Sequence, residues 1–456
     1  MTSEAKIKSP FVLPTLEIEA VKTSLSELSY MVTVGGQGKH FLVSQKLAEL
    51  ITHLKAERSI ENAARTLSVA WNTPVTANDL RRIVEEQMVP KGLAFPADHI
   101  PTLRMNGRQA VPGRPRVPLW KRFLTGQFEW TLMGREITSK ICSPLTNLFD
   151  ISALVIAIIM IIASRWLVFG HTEQKFLRQL LFEFSAADHL AGLFFLIAAV
   201  LFHEFGHIAA QIRYGLPAGP IGFRLYFYMP ALFANVTASW RLKPSRRVVV
   251  DVAGIYFQAI IASLLYLAYA KTAFLPLLTT ALVSDFLCLI AINPFLKFDG
   301  YWLVSDALLL PNLESYSGKL ISGYARRLIG QGAPAQALPF IGRSRTVLVA
   351  CYAIFKHIFW VFLVFTIVKH ARTVYAVAAF NIRTFVSQSL EGLNGLDAVL
   401  FISSVIRLVL FLLLLMAVSI LMGSLMIKAG QLILVAMNKF FFRKPQAGVQ
   451  AAVSQN

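Results

Sequence analysis

The sequence predicts a polytopic α-helical membrane protein with a small soluble α+β domain at its N-terminus. Hydrophobic residues make up 55% of the 456-residue chain and charged residues only 15%, whereas about 25% of a soluble domain is charged. Several uncharged apolar stretches reach about 18 residues or more, the length that a helix needs to cross a bilayer. Residues 1–100 contain no such stretch, so the soluble part lies there.

Residues 1–100 are predicted to form a winged-helix-like domain. The segment YMVTVGGQGKHFLVS predicts two short strands around a glycine-rich turn. Three short helices follow it. The first covers Ser44–Glu57 and has one apolar face, the second has Ser59 as its N-cap, and the third starts with a capping box of Thr76 and Asp79.

This order of elements, over about Ser29–Phe95, resembles the peptide-recognition domains attached to enzymes that mature ribosomally made peptides. The resemblance implies that an exposed strand edge captures a leader peptide by strand addition. A small helical domain with another partner, or with none, remains an alternative. Nucleic acid is not predicted as a partner, because Arg81 and Arg82 stand beside acidic residues and no basic, aromatic-rich face is present.

The rest of the chain divides into three parts. Residues 101–147 form a basic linker rich in proline and glycine, with a segment that lies on anionic head groups. Residues 148–440 form the transmembrane domain, and residues 441–456 a cytoplasmic tail. About six transmembrane helices are predicted, at 148–169, 190–212, 249–270, 273–294, 346–368 and 398–427.

The distribution of lysine and arginine predicts the orientation of these helices. Alternate connections are rich in basic residues, as in the segment from Arg241 to Arg247, and the others are poorer. Because basic connections stay inside, both termini are expected in the cytoplasm, with the chain in a bacterial-type inner membrane. This bias also accounts for the net charge of +19. Between the last two spans, VYAVAAFNIRTFV is predicted to be an interfacial helix.

The second span contains the motif HEFGH, with His203, Glu204 and His207. Residues four apart share one face of a helix, so both imidazoles can reach the same ion. Glu204 is next to the first histidine, where it can act as a general base. Unpaired ionisable residues are costly at membrane depth, which favours a metal site over hydrogen-bonded core histidines. The motif therefore predicts a catalytic Zn²⁺ ion.

Catalytic zinc needs a third protein ligand. The acids in or near the later spans are the candidates: Asp251, Asp285, Asp299 and Asp306. In the stretch AINPFLKFDGYWLVSD, Asn293 and Pro294 should end the fourth span, and Gly300 allows backbone to pass close to Asp299. A non-helical segment at membrane depth is tolerated where it lines a cavity, so Asp299 is the predicted third ligand.

Together these motifs resemble the site-2 protease family of intramembrane zinc metalloproteases, over about residues 190–310. The family pairs H-E-x-x-H on one span with an Asp-Gly motif on a later span, preceded by Asn and Pro. The resemblance implies His203, His207 and Asp299 as metal ligands and Glu204 as the catalytic general base and acid. It also implies a membrane-associated β-hairpin between the two motifs, where GLPAGPIGFRLYFYMPALFANVTASWRL stands.

The chain departs from the family pattern in two places. Asn293 is unusually close to Asp299, and in DVAGIYFQAI Ile255 replaces the family's proline after Gly254. Gln258 can stand in for the family's asparagine. These features are similar to a divergent branch found near peptide-maturation genes. Substrate contacts are expected at Asn293, Gln258 and Gly300.

Other polar residues lie within or near the spans. Asp251 is expected near the cytoplasmic interface beside Arg246 and Arg247. Four more have no assigned role, although they could line a substrate path or pair within the bundle: Asp285, Lys356, His357 and Arg407.

The sequence therefore predicts a zinc-dependent intramembrane metalloprotease. Its expected substrate is a small ribosomal peptide delivered by the N-terminal domain, and its expected partners are the lipid bilayer and peptide-modifying or export proteins. Regulated intramembrane proteolysis of a membrane-anchored regulator is one alternative. A non-proteolytic peptide exporter or immunity protein with a structural metal site is the other.

Overall fold

A computed structural model describes most of the chain, namely residues 11–13, 16–21, 29–34, 39–57, 59–89, 93–96, 129–170, 185–226, 229–310, 313–328 and 343–441. Most of the predicted linker and the cytoplasmic tail from residue 442 onwards lie outside the described residues. The chain forms two compact units. The first comprises residues 1–224 and 232–360, and the second residues 225–231 and 361–456.

The N-terminal part of the first unit contains a three-stranded antiparallel sheet followed by three helices. The sheet has the order β2 (Leu16–Val21), β3 (Ser29–Val34), β4 (Lys39–Ser44). The strands β3 and β4 occur where the sequence predicts them, whereas β2 was missed. A separate pair joins β1 (Phe11–Val12) to β5 (Phe95–Pro96).

The three helices of this part are α1 (Gln45–Glu57), α2 (Ile60–Ala70) and α3 (Ala77–Ile83). The predicted N-caps are confirmed. The hydroxyl of Ser59 accepts from the backbone of α2, and Thr76 and Asp79 form the full capping box. The apolar faces of the helices pack with the sheet into one buried cluster, because each amphipathic helix must cover its hydrophobic stripe.

Among the described residues, six helices are long and apolar enough to cross a membrane. Every one of them overlaps a predicted span, so hydropathy alone located them. The six helices are α5 (Ile151–Phe169), α6 (Ala186–Arg213), α7 (Pro244–Thr272), α8 (Leu275–Ile292), α11 (Arg343–Lys369) and α13 (Ala398–Phe441).

Three shorter helices belong to the membrane part of the first unit. The helix α4 (Arg135–Leu145) precedes the first candidate span and packs against α6. After α8 come α9 (Asp299–Ala307) and α10 (Leu313–Leu328), which replace a direct connection to α11. The helix α9 packs against α7, so the chain returns to the bundle directly after its break.

The segment between α6 and α7 forms the predicted hairpin. Its strands are β7 (Ile221–Tyr226) and β8 (Met229–Ala234). A strand that the sequence did not reveal, β6 (Glu129–Met133), pairs antiparallel with β7, which gives a sheet of order β6-β7-β8. A short 3-10 helix, Thr237–Arg241, then leads into α7.

The second unit contains a helical hairpin of α12 (Ala371–Asn394) and α13. The two helices approach closely at Gly392, where an added Cβ would lie 2.5 Å from the backbone nitrogen of Phe401. Within the hairpin, Arg407 donates to Gln388 at 2.9 Å, and its guanidinium lies over the ring of Phe385. The segment predicted as an interfacial helix is helical and lies within α12. Its position relative to a membrane interface stays a prediction.

Candidate metal centre

The HEFGH motif lies where α6 and α7 are in closest contact. An added Cβ on Gly206 would lie 2.4 Å from the carbonyl oxygen of Ala253. A Cβ on Gly254 would lie 2.3 Å from Nε2 of His207 and 2.5 Å from Nε2 of His203. Both distances are well below normal contact, so the backbone of α7 passes directly against the two imidazoles, and only glycine leaves room for them.

Both histidines are held by hydrogen bonds from Nδ1. His207 donates to the carbonyl oxygen of Val250 at 2.7 Å. The other imidazole, of His203, donates to Oε1 of Gln258 at 2.8 Å, while the amide nitrogen of Gln258 points to the carbonyl oxygen of Ser284. Because a carbonyl oxygen can only accept, we assign the proton to Nδ1 in both rings. Each Nε2 then presents a lone pair.

Asp299 reaches the histidines because the chain breaks after α8. That helix ends at Ile292, and Asn293 and Pro294 lead into a turn before α9 begins at Asp299. An added Cβ on Gly300 would lie 2.1 Å from the carbonyl oxygen of Ile292. Glycine at this position therefore lets the start of α9 fold back against the end of α8.

The three predicted ligands converge. Oδ2 of Asp299 lies 3.0 Å from Nε2 of His203 and 3.6 Å from Nε2 of His207, and the two Nε2 atoms are 3.1 Å apart. Among the described residues, these are the only His, Cys or acidic side chains that meet as a group of three.

This arrangement fits a divalent cation. In the assigned tautomers, two imidazole lone pairs and a carboxylate face one another without a proton between them, which is unfavourable unless a positive charge lies among them. Two nitrogens and one oxygen form a donor set that zinc accepts in catalytic sites, and the Nδ1 hydrogen bonds to oxygen acceptors are typical of metal-bound histidines.

Glu204 lies beside this group on α6. It is largely buried and close enough to His207 to interact with it electrostatically. The carboxylate can therefore take up a proton at the metal centre.

The three expected substrate contacts have different surroundings. The Gln258 side chain is buried and bonded at both ends, so we assign it to orienting His203 rather than to the substrate. Gly300 is buried in the turn back to α8. Asn293 is half-buried and its Oδ1 accepts from the backbone of Phe295 at 2.9 Å, which shapes the turn. Whether Asn293 also contacts substrate stays a prediction.

Asp285 lies in a different cluster from the metal centre. It accepts from Nη2 of Arg165 on α5 at 2.5 Å and from the hydroxyl of Tyr266 on α7 at 3.0 Å. The same guanidinium donates to Ser263 at 2.7 Å. Arg165 was not among the residues predicted to be functional, although a lone arginine inside an apolar span is itself a signal that an acidic partner is nearby.

Two more of the polar residues in the spans, Lys356 and His357, have partners within the first unit. Lys356 donates to Glu314 of α10 at 3.1 Å, and Glu314 also pairs with Lys297. The imidazole of His357 donates from Nδ1 to the carbonyl oxygen of Ala353. These contacts account for two of the unassigned residues by packing within the first unit.

The metal centre lies near one end of the helices that form it. His207 is six residues before the end of α6, which is roughly 9 Å of helix. The start of α7 and the end of α8 lie at the same end, since the chain alternates direction. The Asp299 side chain keeps 23% of its surface exposed, so the group is accessible from outside the protein.

Comparison of the chain with protein-family models, with curated proteins and with solved structures finds no match.

Proposed function

We propose that the protein is a zinc-dependent intramembrane peptidase. The observation that supports this most is the convergence of His203, His207 and Asp299 from two separate parts of the chain, with Glu204 beside them. A structural metal site needs the ligands only. The neighbouring carboxylate of the largely buried Glu204 adds the group that a hydrolase requires.

The chain's own residues have distinct roles in the proposed reaction. A bound zinc ion lowers the pKa of water to about 7 and polarises a peptide carbonyl. His203, His207 and Asp299 hold the ion, and Gln258 and the Val250 carbonyl keep the imidazoles in the tautomer that can bind it. The Glu204 carboxylate accepts the proton from water and returns it to the leaving amine, a transfer that restores the starting state.

The proposed substrate is a small ribosomally made peptide recognised by the N-terminal domain. In the described sheet of that domain, β2 is an edge strand, and an extended peptide can add to such an edge. The basic residues Arg241, Lys243 and Arg246 lie at the end of α7 nearest the metal centre. We therefore propose that this end lies in the cytoplasm of a bacterial-type cell, together with both termini.

The proposal is tested with the purified full-length protein in detergent, loaded with Zn²⁺. Peptides encoded beside its gene are incubated with wild type and with Glu204→Gln, and the products are identified by mass spectrometry. Wild type should cleave at least one peptide. The glutamine variant should bind zinc as wild type does but cleave at least about 100-fold more slowly, because general-base catalysis contributes 10²–10⁴-fold.

His189→Ala is a matched control for the metal centre, since His189 lies at the opposite end of α6. It should keep both zinc and activity. Cleavage by Glu204→Gln at the wild-type rate would refute the peptidase mechanism. Cleavage only of a membrane-anchored protein would favour the regulatory alternative, and zinc binding without any cleavage would favour a structural metal in an export or immunity protein.

A further inference from the structure

The helix α7 carries a polar stripe along one face. The stripe consists of Arg247, Asp251, Gly254 and Gln258. Successive members are four, three and four residues apart, a spacing that places side chains on one side of a helix. Gly254 and Gln258 contact the two histidines of the metal centre. The other half of the stripe has no role in the proposed reaction, although it lies in the same helix face.

Arg247 is buried and faces α9. Only 1% of its surface is exposed, and its guanidinium lies 4.9 Å from the centre of the Trp240 ring. Its Nη1 atom is 3.5 Å from Oδ1 of Asp306, which is also buried. The two groups form an ion pair in which Nη1 makes no hydrogen bond to any of the described residues. A buried guanidinium is retained only with a counter-charge, so the two side chains stabilise each other through their opposite charges.

Asp306 lies on the same helix face as Asp299. The two are seven residues apart in α9, about two turns, so one face of this helix carries both carboxylates towards α7 and the histidines. With only nine residues, α9 is too short to be stable alone, and its orientation depends on tertiary contacts. On its other side, Tyr301 and Val304 pack into a buried apolar cluster with Leu313 and Tyr352. The hydroxyl of Tyr301 accepts from the backbone nitrogen of Glu314 at 3.3 Å.

We infer that Arg247 and Asp306 are positioning residues that fix the rotation of α9 and thereby keep Asp299 at the metal centre. Apolar packing holds one side of α9, and the ion pair two turns beyond Asp299 holds the polar face of the helix towards α7 at a second point. This role concerns the metal centre on which the proposed function rests, and it belongs to Arg247, a member of the stripe that does not touch the histidines.

A purely electrostatic influence of Arg247 and Asp306 on the metal centre would change zinc affinity differently. Near a cation site, removing the negative charge of Asp306 weakens metal binding, whereas removing the positive charge of Arg247 strengthens it. A positioning role predicts that both changes weaken binding, since each breaks the same pair. The sign of the Arg247 effect therefore separates the two explanations.

The experiment measures Zn²⁺ affinity of the full-length protein in detergent, by competition with a chelating dye, for wild type, Asp306→Asn and Arg247→Met. Both variants should bind Zn²⁺ about 10-fold more weakly, at the low end of the loss seen when a residue supporting a metal ligand is removed. An Arg247→Met variant that binds as tightly as wild type, or more tightly, would overturn the inference.

A double-mutant cycle with Asp299→Ala tests whether Asp306 affects zinc affinity through Asp299. If Asp306 acts through Asp299, then Asp306→Asn should cause no further loss of zinc affinity once Asp299 is gone. An equal loss in both backgrounds would contradict the inference. Because Asp306→Asn is isosteric, this cycle decides the question even where Arg247→Met fails to fold, as judged from its thermal unfolding.

The two proposals fail separately, because zinc affinity is measured without substrate. Unchanged zinc affinity in Asp306→Asn, with cleavage intact in wild type, would remove the positioning role and leave the peptidase. Weaker affinity in both variants, with no cleavage by zinc-loaded wild type, would remove the peptidase and leave the positioning role.

Discussion

Two of the ionisable groups among the described helices of the first unit differ in how their charges are satisfied. In the first group, Arg165 pairs with Asp285, and the hydroxyl of Tyr266 donates to the same carboxylate. Positive and negative charges are both supplied by the protein. Such a cluster needs nothing else, and we interpret it as a link between α5, α7 and α8.

The second group, at the metal centre, consists of groups that accept rather than donate. Three acceptor atoms converge, namely Nε2 of His203, Nε2 of His207 and Oδ2 of Asp299. Their pairwise distances are 3.0, 3.1 and 3.6 Å. The protons of both imidazoles are directed away, towards Gln258 and Val250. A polar cluster among apolar helices therefore indicates function when the protein does not balance its charges. Location in apolar surroundings alone is not enough.

Gly254→Ala should have the largest effect on zinc binding at the metal centre. The new Cβ would lie 2.3 Å and 2.5 Å from the two Nε2 atoms, so at least one imidazole must turn away. Zinc affinity should fall by about 100-fold or more, the upper end for a change next to a metal ligand. Isothermal titration with Zn²⁺ measures this.

Gly192→Ala is the matched control for that change. Gly192 lies in α6, where the atom nearest to an added Cβ is 3.9 Å away, an ordinary contact. This variant should bind zinc as wild type does. Equal zinc affinity in Gly254→Ala and Gly192→Ala would mean that the imidazoles are not confined by α7 as the structure indicates.

Replacing Gln258 should have a smaller effect. Gln258→Leu removes the acceptor of the His203 proton, so the imidazole loses its orientation, and zinc affinity should fall about 10-fold. Gln258→Glu keeps an acceptor and adds a negative charge, so its affinity should equal or exceed that of wild type. Dye competition at constant pH measures both variants, and a Gln258→Leu variant with unchanged affinity would remove the orienting role.

Removing the cluster of Arg165 and Asp285 should have the smallest effect on metal binding. The double variant Arg165→Met with Asp285→Leu removes both charges at once, and zinc affinity should stay within about twofold of wild type because the sites are independent. The single variant Arg165→Met should instead lower the free energy of unfolding by less than the roughly 3–5 kcal/mol that breaking a fully buried pair costs, because it strands a half-buried carboxylate. A large loss of zinc affinity in the double variant would contradict the distinction between the clusters.

Much of the candidate site could be predicted from local patterns in the sequence. Residues four apart on a helix must share a face, so His203 and His207 could be paired without a structure. Asp299 followed from a helix break with a glycine beside it, and the structure places all three together. Apolar length alone located the six candidate spans.

The supporting contacts could not be predicted in this way, because their partners are far apart in the sequence. Arg165 meets Asp285 across 120 residues, and no local pattern specifies that pairing. Gln258 was expected to contact substrate, since the sequence does not show which way an amide faces. The four-three-four spacing of polar residues in α7 was a readable signal that this face is buried against something polar, and it was overlooked.

We propose that the convergent group of His203, His207 and Asp299 holds a zinc ion. The most direct test measures the zinc content per chain of purified protein and uses X-ray absorption at the zinc edge to identify the ligand atoms. Wild type should contain one zinc ion bound by nitrogen and oxygen and no sulfur, and His203→Ala should lose it while Gly192→Ala keeps it. Wild-type protein that takes up no zinc, or a zinc ion that persists in His203→Ala, would contradict the claim.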